Sequence, residues 1–69
     1  MKYIGTVESL IQFECNGIII GFWKELFTGE QKPPNMLKAL KDEKIILLDE
    51  KEVNEMLEKA KEKYPELCL

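Results

Sequence analysis

The side chains that most often do chemistry at neutral pH are nearly absent from this chain. It has no histidine and no arginine, only two cysteines, and ten lysines set against thirteen acids. Without an imidazole there is no conventional general base near pH 7 and no Ser-His or Cys-His nucleophile pair. Cys15 and Cys68 form no CxxC motif, so a tetrahedral zinc set cannot be written. Cys15 falls within an apolar alternation, where a thiol serves as a small core residue rather than an activated nucleophile. A Cys15–Cys68 bridge would close most of the chain, but nothing at the N-terminus reads as a signal peptide. A reducing, cytoplasmic setting with free thiols is the expectation.

Carboxylates are plentiful, yet their spacing argues for solvation. Glu50, Glu52, Glu55, Glu58 and Glu62 are interleaved with lysines over one helical stretch, the pattern of an exposed face rather than of an acid–base pair. Gly17-Ile-Ile-Ile-Gly21 precedes no Gly-Lys-Ser sequence and so is not a phosphate loop. Calcium-loop and paired-metal motifs are absent too. A non-enzyme without cofactor or metal is expected.

Charge narrows the partners. A formal net charge of −3 has the wrong sign for a polyanion, and bidentate readout of guanine leans on arginine. No apolar run approaches the ~20 residues of a membrane span. A chain of 69 residues removes only roughly 60% of its unfolded surface from water, so a second copy is the cheapest further support. Many lysines and isoleucines without arginine also suggest an A/T-rich coding sequence, such as viruses and mobile elements carry.

The elements that must position any functional surface follow from periodicity. From Tyr3 to Cys15 the odd positions are mostly apolar and the even ones mostly polar, which predicts one half-buried strand. Asn16-Gly17 predicts a type I′ hairpin turn. With that two-residue loop, paired positions sum to 33. Cys15, Phe13, Ile11 and Val7 then oppose Ile18, Ile20, Phe22 and Leu26 on one face, as a correct register requires. The other face is not polar. It carries Leu10 opposite Trp23, with Ile19 and Phe27 nearby, as a second apolar stripe that a helix, a second copy or a partner must cover. Glu8 opposite Glu25 is an unfavourable pair in this register. A helix from Ile18 to Phe27 is the rival reading, against which stand three successive isoleucines and Gly21.

Thr28 to Asn35, with Gly29 and Lys32-Pro33-Pro34, reads as a surface loop. Met36, Leu37 and Leu40 predict a short helix to Lys41, ended by Asp42-Glu43-Lys44. Ile45–Leu48, apolar without alternation, predicts a strand buried on both faces, with a continuation of the preceding helix as the rival reading. Asp49 and Glu52 form a capping-box pattern ahead of Val53, Met56, Leu57, Ala60 and Tyr64 at helical spacing, and Tyr64-Pro65 stops that helix.

These elements predict one small α+β domain over residues 1–69: a three-stranded, mainly antiparallel sheet (an N-terminal β-hairpin plus one later strand), a short helix and a C-terminal amphipathic helix. The expected function is that of a small intracellular interaction protein, a homodimer that binds a partner protein as regulator or inhibitor, or sequesters a small-molecule ligand. Its binding residues would be Leu10, Ile19, Trp23 and Phe27. The alternative is a nucleic-acid-binding transcriptional regulator that uses the Met36–Lys41 helix and the capped helix as a helix-turn-helix variant, with Lys38, Lys41 and Lys44 as its basic cluster. Acids at the start of the second helix count against it.

Overall fold

Three two-residue turns, each with a residue in the left-handed region, fold the chain into a meander. They are Glu8-Ser9 (Glu8 φ 57°), Asn16-Gly17 (φ 52° and 82°) and Asp42-Glu43 (φ 50° and 63°). The computed structural model describes residues 1–68. Its strands are β1 (Lys2–Val7), β2 (Leu10–Cys15), β3 (Ile18–Trp23), β4 (Met36–Lys41) and β5 (Lys44–Asp49). They form a single antiparallel sheet in the order β1-β2-β3-β4-β5. A short helix α1 (Lys24–Thr28) joins β3 to β4. Helix α2 (Glu50–Lys63) follows β5 directly, and a 3₁₀ turn covers Pro65–Cys68.

The α+β class and the C-terminal helix are as expected, but the sheet has five strands rather than three. Two readings account for the difference. Tyr3 to Cys15 is two strands, not one. A bulge between Tyr3 and Gly5 shifts the facing of β1 by one residue, and the Glu8-Ser9 turn, which sets Val7 opposite Leu10, shifts it back. The two shifts cancel, so an unbroken alternation survives in the sequence. Val7 therefore lies on the outer face and not opposite Leu26, and the Glu8–Glu25 pair does not form. Met36–Lys41 is a strand and not a helix. It pairs with β5 along its whole length, from Met36↔Asp49 to Lys41↔Lys44, so tertiary pairing overrides a weak local preference.

The hairpin register holds in full between β2 and β3, with Leu10↔Trp23, Ile11↔Phe22, Gln12↔Gly21, Phe13↔Ile20, Glu14↔Ile19 and Cys15↔Ile18. Past Trp23 the chain enters α1, which Gly29 ends in the left-handed conformation. Strands β3 and β4 pair only at Ile18↔Lys41 and Ile19↔Leu40, then part to leave room for the α1–β4 loop.

The core lies on one side of the sheet. Ile11, Phe13, Ile20, Phe22, Ala39 and Leu48 meet Leu26 and Phe27 from α1 and Val53, Leu57 and Ala60 from α2. Phe13 is its centre, with ring centroids 5.8–6.2 Å from those of Tyr3, Phe22, Phe27 and Tyr64. Helix α2 begins with a complete capping box: Glu52 N–H donates to Asp49 Oδ1 (2.9 Å), and Asp49 N–H donates to the Glu52 carboxylate (3.4 Å). At its far end Tyr3 N–H donates to Tyr64 Oη (2.9 Å), and Lys63 Nζ donates to the Met1 carbonyl. The C-terminal end of the helix is thereby tied to the first strand. No helix among the described residues is long and apolar enough to cross a membrane.

Candidate functional site

Because strand side chains alternate, the registers assign each residue to a face. The core face takes Ile11, Phe13, Cys15, Ile20, Phe22, Leu37, Ala39, Ile46 and Leu48. Among the described residues no element covers the opposite face, and it is not polar. Two apolar rows cross it. One runs Val7–Leu10–Trp23 over β1 to β3, and the other runs Ile19–Leu40–Ile45 over β3 to β5. Met36 and Leu47 share this face. Among the described residues, the large apolar ones that are exposed are Ile4, Val7, Ile19, Trp23, Met36, Leu40, Ile45 and Leu47. Apart from Ile4, which occupies the β1 bulge, all of them belong to this one face.

Three of the four predicted binding residues are brought together here. Trp23 is 51% exposed, Ile19 is exposed, and Leu10 is half-buried because it lies across Gly21. A Cβ on Gly21 would stand 2.9 Å from Leu10 Cδ1, so glycine is what lets the leucine lie flat against the sheet. The fourth, Phe27, is not part of the site. It sits in α1, is 4% exposed and packs edge-on against Phe22 in the core, because the chain turns helical after Trp23 instead of extending the strand.

The sequence reading missed Val7, Met36, Leu40, Ile45 and Leu47. Ile45–Leu48 was expected to be buried on both faces, yet Ile45 is 69% and Leu47 57% exposed, while Leu48 alone of the run is fully buried. The usable signal was Leu37-x-Ala39 with Ile46-x-Leu48 on either side of Asp42-Glu43, a period-two pattern about a turn.

The face has two depressions. Where β3 and β4 part, Gly21, Trp23, Leu26, Pro34 and Leu37 line a cleft of about 200 Å³ with Gln31 and Lys32 at its mouth. Between the apolar rows lies a shallower, open groove walled by Gln12, Ile19, Lys38, Leu40 and Ile45. Lys38 is the cation within the apolar area, opposite Leu47, and Lys2 opposes Glu14 at the β1–β2 end.

The basic cluster of the alternative reading is divided. Lys41 and Lys44 are paired beside the Asp42-Glu43 turn on the core-facing side, whereas Lys38 faces the other way. With Met36–Lys41 in a strand, the helix-turn-helix variant is overturned. Cys15 is buried, Cys68 is half-buried, and both are free thiols. The acids Glu50, Glu52, Glu55, Glu58 and Glu62 are all exposed on α2. Among the described residues, no cluster of three or more metal-ligating side chains forms. Glu25 Oε2 is buried and has no hydrogen-bond partner among the described residues. Comparison with known proteins finds no family model, no curated relative and no solved structure that matches the chain.

Proposed function

We propose that this chain is a small non-enzymatic interaction protein of the cytoplasm, a homodimer that presents the outer face of its sheet to a partner protein and acts on it as a regulator or inhibitor. One observation carries this reading: the exposed large apolar side chains are gathered on one sheet face while the core occupies the other. A monomer has no use for such a face in its own packing, and contiguous apolar area rimmed by charge is typical of contact surfaces. Trp23 is the natural anchor, since a half-exposed indole beside Leu10 and above a cleft matches the residue type and setting of binding hot spots. The cleft is smaller than the roughly 300–1,000 Å³ of small-molecule sites, so it suits one side chain of a protein partner better than a cofactor. Lys38 and the Lys2–Glu14 pair provide polar contacts among the apolar ones.

The test is capture from source cells on immobilised protein, comparing the wild type with Trp23→Lys and with Lys59→Glu on the exposed side of α2. Trp23→Lys should keep the far-UV CD spectrum and melting temperature while losing the captured protein; Lys59→Glu should keep both. Loss with both variants, or with neither, would remove the sheet face from consideration.

A further inference from the structure

The sheet has two edges, and the chain treats them differently. The β1 edge is interrupted: its ladder is broken by the bulge at Ile4, the Tyr3 N–H is bonded to Tyr64 Oη, and the Met1 carbonyl accepts from Lys63. The β5 edge is open. Its six residues contain no proline, glycine or bulge, and its register with β4 is unbroken. Proline and bulges are among the devices that protect edge strands, and of the others this strand has only the charges of Lys44 and Asp49 at its two ends.

Which backbone groups are free follows from the turn. In a two-residue hairpin with positive φ at both Asp42 and Glu43, the flanking Lys41 and Lys44 form the hydrogen-bonded pair. Lys44, Ile46 and Leu48 therefore direct their N–H and C=O to β4, and Ile45, Leu47 and Asp49 direct theirs away from the sheet. The Asp49 N–H already donates to the Glu52 carboxylate. Among the described residues, no other element bonds the outward groups of Ile45 or Leu47.

We propose that β5 pairs antiparallel with β5 of a second copy about a twofold axis at Ile46. This deepens the homodimer reading above and rests on it, by naming the contact that makes the dimer. In this register Ile45 faces Leu47 of the other copy and Leu47 faces its Ile45. Each such pair exchanges two N–H···O bonds, so the two pairs make about four. That uses every free outward group of the two residues and leaves the Asp49 cap intact. The two most protruding apolar side chains of the strand become cross-strand neighbours.

The charges across this seam are mixed. The strand has a cation at its start and anions where it meets α2, so antiparallel self-pairing sets Lys44 diagonal to Glu50 of the other copy, within reach of a long side chain. Glu43 comes opposite Asp49 and Asp42 opposite Glu50, two unfavourable pairs that lie outside the hydrogen-bonded stretch. The outer face lacks this self-complementarity, because a copy laid upon it would bury Lys38 among Leu40, Ile45 and Leu47. A seam of one strand is shorter than a standard interface, so the dimer belongs to the weaker, concentration-dependent class.

Sedimentation equilibrium of the full chain across micromolar concentrations, with the wild type, Leu47→Pro and Trp23→Lys, tests the proposal. Proline at 47 removes only an outward N–H, leaving the β4 ladder whole. Wild type should shift from one to two copies with concentration. Leu47→Pro should raise the dissociation constant at least about tenfold, since two of the seam bonds are lost. Trp23→Lys should dimerise as the wild type does. A wild type that stays monomeric, or a Leu47→Pro variant that dimerises normally, overturns the seam and leaves the face untouched. Dissociation by Trp23→Lys moves the contact to the face and likewise overturns the seam. If Leu47→Pro does not fold, amide exchange of the wild type decides: protection of the Ile45 and Leu47 amides must rise with protein concentration, and constant exchange refutes the pairing.

Discussion

Glu43 holds φ 63° in the β4–β5 turn, where a side chain meets a backbone penalty that glycine avoids. The left-handed conformation costs an L-residue roughly 1–2 kcal/mol. Replacing Glu43 by glycine removes that cost but gives the unfolded chain more freedom, worth about 0.4–1 kcal/mol in the other direction. The expected net gain is roughly 1 kcal/mol, which raises Tm by about 4–8 °C in a domain of this size. The same reasoning has the opposite sign at Gly17, which holds φ 82° in the β2–β3 turn. No atom lies within 4 Å of where a Cβ would stand at Gly17, so the loss in Gly17→Ala is a backbone effect without a clash. It should lower Tm by a similar amount. Thermal melts followed by far-UV CD read both variants side by side. A Glu43→Gly protein that melts below the wild type, or a Gly17→Ala protein that melts at or above it, would refute the assignment of these turns and the outward phase of β5 derived from one of them.

Two further perturbations probe the frame that holds the face. Phe13→Ala empties the centre of the aromatic cluster and should cost about 3–5 kcal/mol, against a total of roughly 3–10 kcal/mol for a chain of this length; urea titration should find it largely unfolded or close to its midpoint in water. Asp49→Ala removes the acceptor of the Glu52 N–H and should cost about 1 kcal/mol, seen as a lower urea midpoint with an unchanged slope.

Turn chemistry decided how much of this was legible. Asn16-Gly17 announces its own geometry, and from it the whole β2–β3 register could be written, along with the exposure of Ile19 and Trp23. Asp49 and Glu52 announce α2 in the same way. Glu8-Ser9 and Asp42-Glu43 do not, because glutamate is a poor choice for positive φ and only pairing elsewhere holds it there. Losing those two turns merged β1 with β2 and turned β4 into a helix. The outer face was therefore seen at half its extent. Phe27 was misplaced for a different reason. Nothing in Trp23-Lys24-Glu25-Leu26-Phe27 marks where strand ends and helix begins, and Trp23 caps α1 without a side-chain hydrogen bond.

The tie between Tyr64 and Tyr3 would bear on the proposed pairing of copies. In the proposed pairing, an interrupted β1 margin and a bare β5 margin favour joining bare to bare, so growth would stop at a pair. Were the phenol hydroxyl and the Lys63 ammonium withdrawn, the bulge at Ile4 would be the remaining break on the first strand, and addition there could begin, continuing as an open-ended filament. The bulge and the end of one helix together would thus keep the proposed association self-limiting.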